Sequence, residues 1–419
     1  MPQPLTFQVL EKSKENAART GVVTTPHGSF KTPAFMPVGT RGTVKGLTPN
    51  QIRSTGSEIL LNNAYHLALR PGAEQIEKFG GVHSFMRWNR PILTDSGGYQ
   101  AWSMADINKL DEDGVTFKSI IDGSMIRLTP ERSIEIQNQL GADIIMAFDD
   151  CPSSVAPQSQ NLARRRHALT SRDGVLSERA HEDRLLESLD RTARWLERCA
   201  SSHIKQDEQA LFGIVQGGTN LDLRERSVDQ ICSVELPGYA IGGVAVGESP
   251  EAIAEVVKYT ARLLPEEKPR YLMGVGSPED IVNCVNYGVD LFDCVLPTRV
   301  ARNGSLFTNR GRININKSIY RNTGIPIDES CDCYTCSHYS MAYLNHLFKA
   351  KELLAYRLAS IHNLRYIMLL MQRIRNQIDL GTFQKFKDNF LELYQTTDEK
   401  TRAIQKQKWS KNQSLKYHK

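Results

Sequence analysis

The sequence predicts an α/β protein built on an irregular (β/α)8 barrel of the TIM type, followed by a zinc-binding helical subdomain. Two observations predict the barrel: eight short apolar runs recur between residues 34 and 294, and helical patterns separate them. A third observation, three cysteines within six residues, predicts the zinc site. The length of 419 residues is enough for one large domain or a few ordinary ones.

The apolar runs are short, as strands are, and bounded by polar or glycine-containing segments. They are Ala34 to Val38, Ile59 to Asn62, Pro91 to Leu93, Ile144 to Phe148, Ala210 to Val215, Tyr239 to Ile241, Arg270 to Met273 and Asp290 to Cys294. Helix-start signals follow two of them, Ser249-Pro250-Glu251 and Ser277-Pro278-Glu279. In both, serine can cap the helix, proline fits its first position, and the acid favours the positive helix end.

Two stretches depart from a minimal barrel. Residues 161–204 are highly charged and helix-forming, and their first half resembles a surface insertion. After the eighth run the alternation stops, and helical patterns extend from Met341 to Tyr394. We therefore expect a catalytic barrel over residues 1–306 with an insertion near 152–186, a zinc-binding helical subdomain packed on it over 307–395, and a basic tail over 396–419.

The net charge of +5 comes from the C-terminal end of the chain. Residues 400–419 contain seven lysines and arginines and no acid, so the rest of the chain carries a net charge of −2. A basic end of this kind is more often a solvated tail than an arm for nucleic acid. Charge alone therefore does not predict the partner.

The apolar runs are far shorter than the ~18 residues that a membrane span needs. The first residues, MPQPLTFQVLEKSK, lack the basic lead and apolar stretch of a signal peptide. Apart from the clustered trio, the eight cysteines are scattered, which argues against a disulfide framework. We therefore expect a cytoplasmic protein with no membrane partner.

Polar, reactive residues follow the apolar runs, where the carboxyl ends of barrel strands meet at a common mouth. Asp95-Ser96 follows the third run, Asp149-Asp150-Cys151 the fourth and Gln216 the fifth, while Asp293 lies in the eighth. Carboxylates at one mouth can act as nucleophile and as general acid or base when their surroundings separate their pKa values. This coincidence at strand ends predicts a catalytic site.

The motif Cys331-x-Cys333-x-x-Cys336 supplies three thiolates for a tetrahedral zinc ion, which needs a fourth ligand. His338, His346 and His362 are candidates on the residues alone. His338 is so near that the loop would be crowded, and His362 would join the loop to a helix. Four protein ligands leave no open position, so one structural zinc per chain is expected.

The chain resembles the tRNA-guanine transglycosylases, which exchange guanine for a modified base at the first anticodon position of certain tRNAs. The resemblance covers residues 8–395. It rests on TPAFMPVGT (32–40), LLNNAYHLALRPG (60–72), DSGGYQ (95–100), FGIVQGG (212–218), YAIGGVAVGE (239–248), YLMGVGSPEDI (271–281), FDCVLPTRVARNG (292–304), CDCYTC (331–336) and SIHNLRY (360–366).

The resemblance implies a role for each matching residue. Asp293 matches the nucleophile that attacks the ribose C1′ and forms a covalent tRNA intermediate, and Asp95 matches the general acid/base. The further matches are base-edge contacts at Ser96, Asp149, Gln216 and the backbone of Gly243, a stacking slot between Tyr99 and Met273, anticodon-loop contacts at Arg299 and Arg302, and zinc ligands at Cys331, Cys333, Cys336 and His362. The implied partners are tRNA with a U33-G34-U35 anticodon context, a guanine-type base and a second copy in a homodimer.

Two positions predict the branch of the family. Cys151 and Val246 resemble the bacterial branch, which inserts the small precursor base 7-aminomethyl-7-deazaguanine (preQ1) during queuosine synthesis. Members that use the bulkier queuine typically have glycine where Val246 stands, so the valine should obstruct that base. The alternatives are a queuine-inserting enzyme and a non-catalytic RNA-binding subunit, although such subunits characteristically lose carboxylates that are present here.

The chain also departs from the family pattern. Asp150 and Pro152 replace the more usual Glu and Thr, Val300-Ala301 replaces a small pair, and the segment after Cys151 is long. We expect these changes to affect tRNA docking and base preference more than the reaction. A zinc-dependent hydrolase is a third interpretation. Four protein ligands would leave no open coordination position on the ion, which argues against a catalytic metal.

Overall fold

The computed structural model of the chain describes residues 3–99, 107–152, 178–244 and 248–395. These residues form two compact units. The first comprises the described parts of Met1–Pro297 with Ile367–Gln384, and the second those of Thr298–Tyr366 with Lys385–Lys419.

The first unit contains the predicted barrel, whose eight strands are all parallel. In chain order they are β4 (Ala34–Pro37), β5 (Leu60–Asn63), β6 (Ile92–Asp95), β10 (Ile144–Met146), β11 (Ala210–Val215), β12 (Gly238–Ile241), β13 (Arg270–Leu272) and β14 (Leu291–Cys294). Their order in the sheet is β4-β14-β13-β12-β11-β10-β6-β5. A parallel bridge between Val38 and Leu61 joins the two end strands, so the (β/α)8 fold class is confirmed.

The barrel strands form because they are buried on both faces, which is why each appears in the sequence as an apolar run. Met36, Leu93, Met146, Phe212 and Tyr271 belong to one buried cluster that fills the interior. Buried side chains of this size contribute about 1.5–3 kcal/mol each relative to exposure.

Helices of the first unit follow the strands. They are α1 (Pro49–Ser54), α2 (Ala64–Leu69), α3 (Ala73–Lys78), α4 (Gly81–Met86), α5 (Pro130–Leu140), α6 (Glu178–Ser202), α7 (Leu221–Cys232), α8 (Pro250–Leu263) and α9 (Pro278–Asn286). The expected caps are present, since Ser249 accepts from the N–H of Ala252 and Ser277 from that of Asp280. Residues 153–177, which include most of the expected insertion, lie outside the described part.

Two antiparallel sheets in the first unit were not predicted. They are β1 (Thr6–Lys12), β2 (Arg19–Thr25) and β3 (Gly28–Thr32), and β7 (Ile107–Asp111), β8 (Gly114–Lys118) and β9 (Met125–Leu128). Both are ribbons with one face toward solvent, as the alternating exposure of β1 shows. Such strands leave no continuous apolar run, and a register shift between Val9 and Glu11 interrupts the alternation further.

The second unit begins within α10 (Leu296–Arg302) and contains a hairpin, a cysteine-containing segment and helices. Its elements are β15 (Ser305–Thr308), β16 (Gly311–Asn314), a 3-10 helix (Ser318–Asn322), α11 (Tyr334–His338), α12 (Met341–Ala350), the first part of α13 (Leu353–Asp379) and most of α14 (Phe383–Leu393). The helical patterns after Met341 are therefore three helices. No helix among the described residues has both the length and the apolarity to cross a membrane.

Candidate active site

The predicted catalytic carboxylates lie at the carboxyl ends of the barrel strands. Asp95 is the last residue of β6, Asp293 is in β14, and Asp149 follows β10 by three residues. Since the strands are parallel, these ends open on one mouth. Asp95 and Asp293 interact there, because the charge of Asp293 contributes to raising the pKa of Asp95.

Asp95 is a buried carboxyl held by neighbours from the adjacent strand. Register pairs Asn63 with Asp95, and the Asn63 amide donates to Oδ2 while the N–H of Ala64 donates to Oδ1 at 2.9 Å. Burial raises the pKa of Asp95 from 3.8 to about 7, although these donors act in the opposite direction. A carboxyl with this pKa can both give and take a proton near neutral pH.

Asp293 is held through one of its two oxygens. The hydroxyl of Tyr271 donates to Oδ1 at 2.7 Å, and the N–H of Gly274 donates to the same atom at 2.8 Å. Burial raises the pKa of Asp293, and both donors lower it by stabilising the carboxylate. Within the described residues, Oδ2 of Asp293 has no hydrogen-bond partner, and its role as a nucleophile stays a prediction.

Asp149 forms a second polar centre with the side chains that the sequence assigned to the base edge. Ser96 Oγ donates to its Oδ1 at 3.3 Å, and Gln216 Nε2 donates to its Oδ2 at 2.7 Å. Burial and, to a smaller extent, the charge of the adjacent Asp150 raise the pKa of Asp149 to about 7. The centre offers an acceptor carboxylate beside amide and hydroxyl groups, which complements a planar base with N–H donors.

The turn after β12 has no room for side chains. A Cβ on Gly243 would lie 2.3 Å from Gln216 Oε1, and its φ of +61° also favours glycine. A Cβ on Gly242 would lie 2.6 Å from Ile214 Cγ2 and 3.1 Å from Gln216 Nε2. Both glycines are therefore required for the backbone to lie against Gln216.

A buried arginine, Arg224, fixes the backbone of the turn after β12 by hydrogen bonds. The Arg224 guanidinium donates to the carbonyl oxygens of Gly242 at 2.7 Å and Gly243 at 3.1 Å, and to those of Val215 and Gly218 at 3.1 and 2.9 Å. Its side chain is fully buried, and burial lowers the pKa of Arg224 to about 10. Arg224 thus ties the turn after β11 to the turn after β12.

The remaining predicted base contacts are only partly described. Cys151 is buried, and burial raises the pKa of its thiol to about 12, so it is a neutral thiol near Gln216. Tyr99 is 43% exposed, and Met273 is partly buried near Gly242. The stacking slot between Tyr99 and Met273 stays a prediction, and Val246 lies outside the described residues.

Asp150, a departure from the family pattern, forms a buried ion cluster with α6. Arg184 donates to its Oδ1 at 2.6 Å and Arg191 to its Oδ2 at 2.5 Å. All three side chains are buried. Helix α6, which begins within the expected insertion, is thus fixed to the residue beside Asp149.

Arg299 and Arg302 lie in the last turn of α10, which follows β14 almost directly along the chain. Burial and the neighbouring Arg299 lower the pKa of Arg302. Both arginines belong to the second unit, and their contact with RNA stays a prediction.

The second unit brings the four predicted metal ligands together. The Sγ atoms of Cys331, Cys333 and Cys336 lie 3.9, 3.7 and 3.3 Å from Nδ1 of His362. Bonds of about 2.3 Å to sulfur and 2.0–2.1 Å to nitrogen at tetrahedral angles would separate these atoms by about 3.6 Å. His362 Nε2 faces the carbonyl of Phe307 at 2.8 Å, the arrangement that orients a ligating imidazole. These residues could hold a metal ion and fit zinc, with His362 as the fourth ligand.

Three residues of the site were not singled out from the sequence: Asn63, Arg224 and Tyr271. Asn63 and Tyr271 lie in motifs that carry the family resemblance, but a motif does not reveal which partner each side chain contacts. Nothing in the sequence around Arg224 indicates that this arginine is buried.

Comparison with known proteins shows which proteins the chain is similar to. The model of the family described as Queuine tRNA-ribosyltransferase matches residues 13–174 and 168–396. A protein of that name from Caldanaerobacter subterraneus subsp. tengcongensis is 49% identical over 388 residues, covering 93% of this chain and 97% of the relative. Similar relatives come from Dehalococcoides mccartyi, 47% identical and covering 96% of both chains, and Staphylococcus haemolyticus, 46% identical and covering 93% and 97%.

Proposed function

The chain belongs to the queuine tRNA-ribosyltransferase family, and we propose that it is the tRNA-guanine transglycosylase that inserts preQ1 at position 34 through a covalent Asp293-ribosyl intermediate. One observation carries the proposal. Asp293 has one oxygen fixed by two donors and the other without a partner in the described chain, as a carboxylate nucleophile requires.

In the first half-reaction, Oδ2 of Asp293 attacks C1′ of the ribose of G34 while the bond from C1′ to guanine N9 breaks. Asp95 donates its proton to the departing guanine. In the second half-reaction, Asp95 takes the proton from N9 of the incoming base, N9 attacks C1′, and the ester bond to Asp293 breaks. The first half-reaction leaves Asp95 ionised, as the second requires, and the second leaves it protonated again. A pKa of about 7 favours this alternation near neutral pH.

Asp149, Ser96 and Gln216 recognise the base in this proposal. The carboxylate of Asp149 accepts from N1–H and N2–H₂ of a guanine-like ring, and donors beside it serve O6. These ring donors favour the ionised carboxyl, so base binding lowers the pKa of Asp149 and releases a proton near neutral pH.

The choice of preQ1 over queuine rests on Cys151 and Val246, which resemble the bacterial branch. The three relatives named above also come from bacteria, which supports this choice. An enzyme that accepts queuine is the second candidate, since relatives carry that base in their name.

Arg299 and Arg302 are proposed to contact the anticodon loop, since planar cations suit phosphates and base edges. We also propose that the protein forms a homodimer. Tyr334 and Tyr343 are large aromatic side chains with 49% and 39% of their surface exposed, and such residues are enriched at protein interfaces. A cytoplasmic location agrees with tRNA as the substrate.

The metal of the second unit is proposed to be one structural zinc. Cys331, Cys333, Cys336 and His362 would occupy all four positions of a tetrahedral ion, so the metal would stabilise the local fold and take no part in the exchange.

Base exchange into unmodified tRNA with a U33-G34-U35 context tests the function. Labelled guanine, preQ1 and queuine are compared on one enzyme preparation. Incorporation of guanine and preQ1 without queuine is expected. Efficient queuine incorporation would overturn the base preference, and exchange of none of the three would favour a non-catalytic RNA-binding subunit.

A further inference from the structure

Helix α7 places a buried arginine beside the proposed base pocket. Asn220 caps this helix, because its Oδ1 accepts from the N–H of Leu223 at 3.1 Å. Arg224 therefore lies near the start of the helix, at the carboxyl end of β11, and its side chain is fully buried. The proposed reaction assigns no role to this residue.

The guanidinium of Arg224 joins two turns at the barrel mouth. It donates to the carbonyl oxygens of Val215 and Gly218 at the end of β11, and to those of Gly242 and Gly243 after β12. Burial lowers the pKa of Arg224 to about 10, so the guanidinium is still charged near neutral pH. A buried charge is costly unless its donors are satisfied, and these carbonyls hold the guanidinium in one position.

Arg224 sets the orientation of the peptide group between Gly242 and Gly243. A trans peptide group is planar, and its C=O and N–H point in opposite directions. The carbonyl of Gly242 points to Arg224 at 2.7 Å, so the N–H of Gly243 points away from the arginine. The carbonyl of Gly243 also accepts from Arg224, at 3.1 Å, and the backbone of this glycine is therefore fixed on both sides.

The N–H of Gly243 is a buried donor, and no group in the described part of the chain accepts from it. Buried backbone N–H groups without an acceptor are rare in folded proteins, because each costs free energy. Gly243 lies against Gln216, since a Cβ on this glycine would be 2.3 Å from Gln216 Oε1. Gln216 Nε2 in turn donates to Asp149 at 2.7 Å. The unpaired donor therefore belongs to the same pocket as Asp149 and is available to an oxygen of the ligand.

The same face of α7 fixes the backbone at the end of β11. Ser227 lies three residues after Arg224 and therefore on the same side of the helix. Its Oγ accepts from the N–H of Gln216 at 2.9 Å. The carbonyl of Val215 accepts both from Arg224 and from the N–H of Gly242, at 3.1 and 3.0 Å. Helix α7 thus holds the turns after β11 and β12 in one relative position.

We propose that Arg224 is a positioning residue that directs the N–H of Gly243 at the carbonyl oxygen O6 of the base. The inference rests on the proposed function and names what selects an oxygen at this position of the ring. The positive charge of Arg224 also polarises the peptide group between them, which makes the N–H a stronger donor. Arg224 thereby acts on base recognition without touching the base.

Discrimination between guanine and 6-thioguanine tests the proposal in the full-length enzyme. The two bases share the N1–H and N2–H₂ donors that Asp149 would accept, but 6-thioguanine has sulfur, a weaker acceptor, in place of O6. KM for labelled guanine and the inhibition constant of 6-thioguanine are measured in the same exchange assay with unmodified G34 tRNA. Their ratio reports the donor to O6, whereas a general defect of the fold changes both constants alike.

Arg224→Lys is the test variant, because it keeps a positive charge but has a single nitrogen that cannot span four carbonyls. We expect KM for guanine to rise about 3- to 10-fold, as for the loss of one hydrogen bond, while the inhibition constant of 6-thioguanine changes less. Arg270→Lys is the matched control. Arg270 is also buried, with its pKa lowered by burial to about 10, and donates to the carbonyl of Leu264 at 2.7 Å, but it lies at the amino end of β13. This control should lower Tm without changing the ratio.

An unchanged ratio in Arg224→Lys, or an equal rise of both constants, would overturn the role of Arg224 while the parent enzyme still exchanges guanine. A parent enzyme that exchanges no base would overturn the proposed function itself, so the two failures can be told apart. If Arg224→Lys does not fold, a crystal structure of the parent enzyme with guanine decides. We expect the N–H of Gly243 about 2.9 Å from O6 with the Gly242 carbonyl still on Arg224. A Gly242 carbonyl turned toward the base would overturn the proposal.

Discussion

Removing the Tyr271 hydroxyl tests how the structure prepares Asp293 for attack. In Tyr271→Phe the ring stays and only the donor to Oδ1 of Asp293 is lost. Hydrogen bonds to charged groups contribute about 1.5–3 kcal/mol. At about 1.4 kcal/mol for each factor of ten, the loss lowers the ionised fraction of Asp293, and with it the rate of adduct formation, by about 10- to 150-fold on the acid side of the pH profile and little at high pH. Loss of this donor also raises the pKa of Asp293, because the carboxylate is then less stabilised.

The assay is single-turnover formation of the covalent tRNA adduct as a function of pH. The acid limb of the profile reports ionisation of Asp293 and should move upward in Tyr271→Phe, while KM for guanine should change little. Tyr239→Phe is the matched control, because its buried hydroxyl on the neighbouring strand donates to the carbonyl of Val234 instead. An unshifted acid limb, or an equal loss at every pH, would refute the reasoning, because a purely structural defect gives that result.

Three further predictions concern the base pocket and the metal centre. Asp149→Asn should abolish guanine binding yet raise Tm at pH 8 and not at pH 4. A carboxyl whose folded pKa is raised to about 7 stabilises the fold below pH 3.8 and loses that contribution as the pH rises through 7. Equal Tm values of the variant and the parent at pH 8 would contradict this. Gly243→Ala should raise KM for guanine at least tenfold by displacing Gln216, whereas Gly123→Ala, also at positive φ but with open space around it, should leave KM unchanged. His362→Ala should lose zinc by elemental analysis and unfold at lower temperature, and zinc retention equal to that of His346→Ala would exclude His362 as a ligand.

The barrel could be predicted because strands that are buried on both faces appear in the sequence as continuous apolar runs. Strands such as β11 (Ala210–Val215) are entirely buried and therefore appear as apolar runs. No residue of β1 (Thr6–Lys12) is buried, so this strand does not appear in the sequence as an apolar run. For the same reason, the hairpin formed by β15 and β16 in the second unit was not predicted.

The site could be predicted where residues are close in sequence or fixed at strand ends. Asp95 and Ser96 are adjacent, and the cysteine spacing alone indicated a metal. The contact of Tyr271 with Asp293 depends on the pairing of β13 with β14, and that of Asn63 with Asp95 on the register of β5 and β6. Register is set by three-dimensional packing, so these partners become visible only in the structure.

The identity of the attacking carboxylate is the central claim and can be measured directly. The full-length enzyme is mixed with unmodified G34 tRNA without free base, denatured and digested, and the peptide that carries ribose is sequenced by mass spectrometry. We expect the modification on Asp293, and no adduct from Asp293→Asn. Ribose on Asp95, or an adduct that persists in Asp293→Asn, would contradict the mechanism.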